Sequence, residues 1–137
     1  MVLKNYKDFL KQIDDCARSF KQYNDVVSIC MPNTPETIIS FYALNKIGAI
    51  ANMIHPWLAE PEIKYFVNSS KSKYIITIAI AFNKINHIFK ETKLKNIKLV
   101  SVGDSMPLYM KTLYQITKER KIKLEDNNSI ISWKNCL

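Results

Sequence analysis

The side chains that most often carry chemistry are few in this chain and widely separated. There are three cysteines, Cys16, Cys30 and Cys136, and two histidines, His55 and His87. They do not stand at the short spacings that metal ligands use, so the sequence predicts no metal site. A nucleophile pair of Cys30 and His55 is disfavoured because Cys30 lies in an apolar run, where burial opposes the thiolate. We therefore expect no catalytic residue in this chain.

The sequence also lacks a phosphate-binding loop. Such loops need clustered glycines, which let backbone N–H groups surround the anion. The chain has two glycines, Gly48 and Gly103, and each follows an apolar segment where a helix or strand would end. The turn after the first apolar run is Pro32-Asn33-Thr34-Pro35, which stiffens the backbone. The sequence therefore predicts neither a dinucleotide fingerprint nor a cofactor bound by this chain.

His55 is the candidate substrate-binding residue. It lies in a loop that follows a predicted buried strand, and α/β sheets place ligand contacts at the carboxyl ends of parallel strands. The alternative is that its ring packs or hydrogen-bonds within a turn held by Pro56. His87 falls on the polar side of a predicted helix, so we interpret it as solvent-facing and not as a ligand.

Continuous apolar runs predict the elements that would position these residues. Four runs have the length and composition of buried strands, at 26–31, 49–54, 74–80 and 97–102. Helical patterns lie between them, and strand–helix–strand units with apolar strands are typical of a parallel sheet. The sequence thus predicts an α/β fold: about four parallel strands in the order 2-1-3-4, with helices on both faces.

The predicted helices add three expectations. An amphipathic helix at 3–22 precedes the first strand. The helix that contains Ile38 and Ile47 is apolar most of the way round, which predicts a packed layer on each of its sides. A last helix is predicted at 105–116. We expect residues 1–137 to form a single α/β subdomain, with a flexible tail at 124–137.

Composition restricts the class of protein. Of 137 residues, 47% are hydrophobic and 11% aromatic, which is typical of a packed domain. No apolar run reaches the roughly 18–20 residues that span a bilayer, and the charged N-terminus does not resemble a signal peptide. We therefore expect a cytoplasmic protein with reduced thiols.

The formal net charge of +8 comes mostly from lysines, which are densest at Lys93–Lys98 and Lys118–Lys123. Only two arginines are present, Arg18 and Arg120. Because base and phosphate recognition favours arginine, a lysine-rich solvated surface is the preferred interpretation. We expect no nucleic acid among the partners, and no membrane-spanning segment in the chain.

Three segments carry a resemblance to a known family: DVVSICMPNTPE (25–36), FYALNKIGAIANMIHP (41–56) and EIKYFVNSSKSKYIIT (62–77). They resemble the N-terminal region of the AMP-forming adenylating enzymes, a superfamily of acyl- and aryl-CoA synthetases, peptide-synthetase adenylation domains and luciferases. Ile131-Ser132-Trp133 is similar to the stretch shortly before that family's phosphate-binding loop. The resemblance implies that the chain is part of the family's large N-terminal domain, truncated before the loop.

The resemblance also implies a reaction for a parent enzyme. In this family a carboxylate and ATP give an acyl-adenylate, and the acyl group then passes to CoA or another thiol. ATP, Mg and CoA are thus implied for the parent, while this segment alone would be structural and inactive. Its implied partner is the remainder of the enzyme, or a second copy through exposed apolar surface. His55 would line the parent's substrate cleft.

Two other classes of function stay open. One is a freestanding basic α/β module that binds nucleic acid or another polyanion through its lysines, although a patch of arginines interleaved with aromatic residues is missing. The other is a small flavodoxin-like domain that binds a nucleotide at a strand end, for which the sequence offers no phosphate cradle.

Overall fold

The computed structural model describes residues 5–100 and 130–132 of the chain. Helices and strands alternate along most of this length. In chain order they are α1 (Tyr6–Ser19), β1 (Val26–Cys30), α2 (Pro35–Lys46), β2 (Ile50–Ile54), α3 (Glu60–Ser70), β3 (Tyr74–Ile78), α4 (Ala79–Ile88), a 3-10 turn (Phe89–Glu91), β4 (Asn96–Val100) and β5 (Ile130–Ser132). None of the helices described is long and apolar enough to cross a membrane.

The strands form one parallel sheet in the order β2-β1-β3-β4-β5. β1 lies between β2 and β3, so that Val27 faces Ala51 on one side and Tyr74 on the other. The predicted α/β class and the order of the first four strands are confirmed. β5 is an addition to the prediction: it lies within the segment 124–137 and pairs with β4. The rest of that segment and the predicted helix at 105–116 lie outside the described residues.

Helices cover both faces of the sheet, as predicted. α1 and α2 pack on one face and α3 and α4 on the other, and each pair encloses its own apolar cluster. Alternation along β1 divides its side chains between them, with Val27 and Ile29 in the first cluster and Cys30 in the second. This two-sided burial explains why the central strands β1 and β3 read as largely apolar runs.

Local signals determine where α2 begins and ends. Thr34 caps its N-terminus by accepting a hydrogen bond from the N–H of Thr37, and Pro35 fills the first turn, where no N–H donor is needed. Glu36, near the positive end of the helix dipole, is buried. Gly48 follows the helix with a φ of +78°, a left-handed conformation that glycine adopts without strain. The predicted start and end of this helix are confirmed.

The third strand is shorter than the apolar run predicts. β3 ends at Ile78 and α4 begins at Ala79 with no loop between them, whereas the run predicts a strand through Ile80. A short apolar run fits a buried strand and a buried helix equally well. Here the last residues of the run form the first turn of α4.

Large apolar side chains remain exposed on the outer side of α2 and along the edge strand β2. Ile38 and Tyr42 on α2 are 48% and 50% exposed, so the described residues leave this side of the helix partly uncovered, and the packed layer expected there stays a prediction. On β2, Ile50 and Met53 are 65% and 50% exposed. Five more large apolar residues are exposed in the described part of the chain: Tyr6, Leu10, Trp57, Tyr65 and Phe66.

Lys98 departs from the predicted solvated lysine surface. It lies on β4 and is buried, because strand alternation directs it towards α1. Its Nζ donates to Ser19 Oγ at 3.2 Å and lies 4.5 Å from the centroid of the Phe20 ring, a cation–π distance. Lys93 and Lys95 of the same group are exposed, in agreement with the prediction.

Candidate functional site at the carboxyl end of the sheet

The carboxyl ends of β1 and β3 lie side by side where the strand order reverses. From β1 the chain moves outward to β2 on one side, and then crosses to β3 on the other. In open α/β sheets a crevice forms outside the strand ends at such a point, and ligands bind there. The hydroxyl of Thr77 on β3 donates to the carbonyl oxygen of Cys30 on β1 at 3.0 Å. This bond fixes the two strand ends relative to each other.

The turn after β1 borders this crevice and is held by hydroxyl groups. Thr37 Oγ1 donates to the carbonyl oxygen of Pro32 at 2.6 Å and lies 3.1 Å from Thr34 Oγ1. The one glycine among the described residues, Gly48, lies at the amino end of β2 and not at this edge. The described residues therefore do not fit the phosphates of a nucleotide, which need a flexible turn of exposed N–H groups.

His55 begins a tight turn at the carboxyl end of β2. The N–H of Leu58 donates to the carbonyl oxygen of His55 at 3.3 Å, and the N–H of Trp57 donates to His55 Nδ1 at 3.4 Å. Pro56 is buried, whereas His55 and Trp57 are exposed with their ring centroids 5.4 Å apart. The His55 ring thus hydrogen-bonds within a turn that contains Pro56, as the alternative interpretation describes. The same geometry leaves the ring accessible. A substrate-binding role for His55 stays a prediction.

Lys84 of α4 contacts this turn, and nothing in the sequence indicates that contact. Its Nζ donates to the carbonyl oxygens of Pro56 at 3.0 Å and of Leu58 at 2.9 Å. The side chain is half-buried, and no carboxylate of the described residues forms an ion pair with it. The contacts join residues 28 and 26 positions apart, so only the packing of α4 against the turn reveals them.

His87 lies one helical turn beyond Lys84 and is exposed, in agreement with its predicted polar position. Its Nδ1 is 3.1 Å from a carboxylate oxygen of Glu60, the first residue of α3. The contact joins α4 to the start of α3 at the protein surface, where such pairs contribute little.

Neither cysteine in the described part of the chain has the environment of a nucleophile. Cys16 and Cys30 are both fully buried. Burial raises the pKa of the Cys30 thiol to about 11, against the opposing effects of the Lys84 charge and a hydrogen bond with Thr77. The thiolate is therefore disfavoured, which agrees with the interpretation of Cys30 as a core residue. Within residues 5–100 and 130–132, no group of three or more His, Cys, Asp or Glu side chains could hold a metal ion.

A buried polar network ties β1 and β2 to the end of α3. Asn52 Nδ2 donates to Ser28 Oγ at 3.0 Å and to Ser70 Oγ at 3.1 Å. The Ser72 hydroxyl lies 2.6 Å from both the Ser28 and the Ser70 hydroxyls. Ser28 and Ser72 are fully buried, and both are hydrogen-bonded as buried polar groups must be. We interpret this network as structural support beneath the site.

Comparison with known proteins identifies the family. The family model described as AMP-binding enzyme matches residues 3–133, and the chain belongs to this family. The chain is 29% identical over 104 residues to the long-chain-fatty-acid–CoA ligase of Bacillus subtilis, covering 76% of this chain and 19% of that protein. It is 30% identical over 84 residues to 4-coumarate–CoA ligase 1 of Petroselinum crispum, covering 61% of this chain and 15% of that protein.

A solved structure, that of a fatty acyl CoA synthetase of Mycobacterium tuberculosis, superposes with a TM-score of 0.67 at 25% identity, covering 96% of this chain and 27% of that one. The resemblance carried by the three sequence segments is thus confirmed. The chain spans less than a fifth of the length of either curated relative that we compare with it. The strand order is also that of flavodoxin-like domains, but the comparisons favour neither that class nor a polyanion-binding module.

Proposed function

We propose that this chain forms the N-terminal part of the sheet domain of an AMP-forming acid–thiol ligase. The complete enzyme would convert a carboxylate and ATP to an acyl-adenylate and pyrophosphate, and then transfer the acyl group to CoA or another thiol. The family match over residues 3–133 carries the proposal. The relatives support it, since their names are those of CoA ligases for long-chain fatty acids and 4-coumarate. ATP, Mg and CoA would be bound by the complete enzyme.

Within that enzyme the chain's proposed role is to position substrate and not to react with it. The His55 and Trp57 rings stand together at the carboxyl edge of the sheet, and we propose that they line the cleft for the carboxylate substrate. Because His55 Nδ1 accepts from the Trp57 N–H, the free ring nitrogen is Nε2, which is available as a hydrogen-bond donor. Trp57 would offer an aromatic face to the acyl or aryl group.

The proposed partner is the remainder of a longer ligase. Ile38 and Tyr42 on α2, with Ile50 and Met53 on the edge strand, form apolar surface of the kind that packs against another layer. We favour the remainder of the enzyme over a second copy because the chain spans so little of its relatives' length. We also propose a cytoplasmic location, where a buried thiol such as that of Cys30 stays reduced.

Substitution of the two histidines tests the proposed cleft in the complete ligase. His55→Ala should raise the KM for the carboxylate on the order of tenfold, since a group that binds substrate is lost. His87→Ala removes an exposed histidine that contacts Glu60 and serves as the matched control, with no expected change in KM. Equal KM values for the two variants would contradict the proposed role of His55.

A further inference from the structure

We propose that Lys84 is a positioning residue, which holds the turn from His55 to Leu58 in the conformation that sets the His55 and Trp57 rings at the carboxyl edge of the sheet. The use of these rings for substrate rests on the function proposed above. Lys84 acts through the turn: its ammonium group contacts backbone carbonyl oxygens of Pro56 and Leu58.

The two hydrogen bonds from Lys84 lie on either side of Trp57 in the chain. Nζ donates to the carbonyl oxygens of the residues before and after it, at 3.0 and 2.9 Å. The turn's own contacts are longer, at 3.3 Å from the Leu58 N–H to the His55 carbonyl oxygen and 3.4 Å from the Trp57 N–H to His55 Nδ1. Shorter bonds with a charged donor are the stronger ones. Lys84 therefore provides the strongest of these hydrogen-bond restraints on the backbone of the turn.

The helix that carries Lys84, α4, is fixed in place by its packing. The helix follows β3 without a loop, and Ala81, Phe82, Ile85 and Ile88 bury its inner side in the cluster shared with α3. Lys84 thus reaches the connection between β2 and α3 from a helix that is itself fixed in the core.

The requirement for a charged donor follows from the exposure of the turn. Pro56 is buried and Leu58 packs against the cluster of α3 and α4, but the two rings that flank Pro56 are exposed and contribute little packing. The carbonyl oxygens of Pro56 and Leu58 lie outside any helix or strand. Replacing Lys84 by an apolar side chain would leave these carbonyls to water and release the turn, while the buried side of α4 stays intact.

Trp57 reports on the turn directly. In a Trp133→Phe background it is the one tryptophan left, so its anisotropy and acrylamide quenching measure the mobility and access of this ring. We expect Lys84→Met to raise the quenching constant about twofold and to lower the anisotropy, and Lys84→Arg to restore most of the difference. Lys64→Met removes a lysine of the neighbouring helix and should leave Trp57 unchanged.

Circular dichroism of each variant establishes that it is folded, and Lys84→Gln replaces Lys84→Met if the latter does not fold. An unchanged Trp57 signal in the folded, uncharged variant would overturn the positioning role. A change of the same size in Lys64→Met would also overturn it, since the effect would then not belong to the contacts of Lys84.

Kinetics of the complete ligase separate this inference from the proposed function. We expect Lys84→Met to raise the KM for the carboxylate on the order of tenfold with little change in kcat, and Lys84→Arg to recover it. A changed Trp57 signal with an unchanged KM would uphold positioning by Lys84 but overturn the placement of the turn in the substrate cleft. An unchanged Trp57 signal would overturn positioning by Lys84 whatever the value of KM.

Discussion

The hydroxyl of Thr77 donates to the carbonyl oxygen of Cys30 at 3.0 Å, and so joins β3 to β1 at the point where the strand order reverses. Both residues are fully buried, and a polar group that loses its partner away from water is costly. The two strand ends are therefore held in a fixed position beside the turns that follow β1 and β2. The Cys30 side chain is buried at this point of the core.

We expect Cys30 to resist alkylation in the folded chain. Burial raises the pKa of its thiol to about 11, so at about pH 8 it is almost wholly protonated, and only thiolates react. The measurement treats a Cys136→Ser variant with iodoacetamide, with and without urea, and locates the label by mass spectrometry. Labelling of Cys30 should require urea. Rapid labelling of Cys30 in buffer alone would contradict the enclosed position.

The polar network beneath the site should contribute measurably to stability. Asn52→Ala removes the amide that bonds to Ser28 and Ser70, and the buried hydroxyls then lose a donor. We expect the free energy of unfolding to fall by about 1–3 kcal/mol, measured by urea denaturation. Asn68→Ala, at an exposed position of α3, is the matched control and should change it by less than about 0.5 kcal/mol. Similar losses for both variants would refute the structural role of the network.

The ion pair at the opposite, amino edge of the sheet makes stability depend on pH. A hydrogen bond from Lys73 lowers the pKa of Asp25 below its ordinary value of 3.8, with help from the Val26 N–H and from the Lys73 charge. The folded chain thus holds the carboxylate more readily than the unfolded chain does. Its contribution is complete above pH 3.8 and is lost as the pH falls through the lower, folded-state pKa.

Asp25→Asn tests this dependence, because the amide oxygen still accepts from the Val26 N–H while the charge is gone. We expect the variant to be less stable than the parent at neutral pH, and the difference to shrink as the pH falls below 3.8. Urea denaturation at low salt measures this difference in the free energy of unfolding, since salt screens the interaction of a half-exposed ion pair. A difference that is the same at neutral and acid pH would show that the charge of Asp25 does not stabilise the fold.

The strands and the ends of α2 could be predicted because the signals for them lie in their own residues and in those next to them. The central strands β1 and β3 are buried on both faces and so are largely apolar, and the Pro and Gly residues around α2 mark its ends. The boundary between β3 and α4 could not be predicted, because Ile78, Ala79 and Ile80 suit either structure.

Properties that depend on contacts between distant residues could not be predicted from the sequence. Lys98 is buried because α1 packs over β4 and places Ser19 and Phe20 beside its ammonium group. Lys84 contacts the turn after β2 because α3 and α4 pack on the same face of the sheet. The exposed side of α2 is a further case: an apolar helix face indicates that something packs there, but not that the packing partner lies within these residues.

The most direct test of the central claim is carboxylate-dependent exchange of labelled pyrophosphate into ATP, measured for this chain alone and for a complete ligase that contains it. A chain with two widely separated glycines has no Gly-rich loop to hold the phosphates of ATP. We therefore predict exchange by the complete ligase with a fatty or aromatic acid, and none above the protein-free rate by the chain alone. Exchange by the purified chain, or a complete protein that shows none with any such acid, would contradict the account.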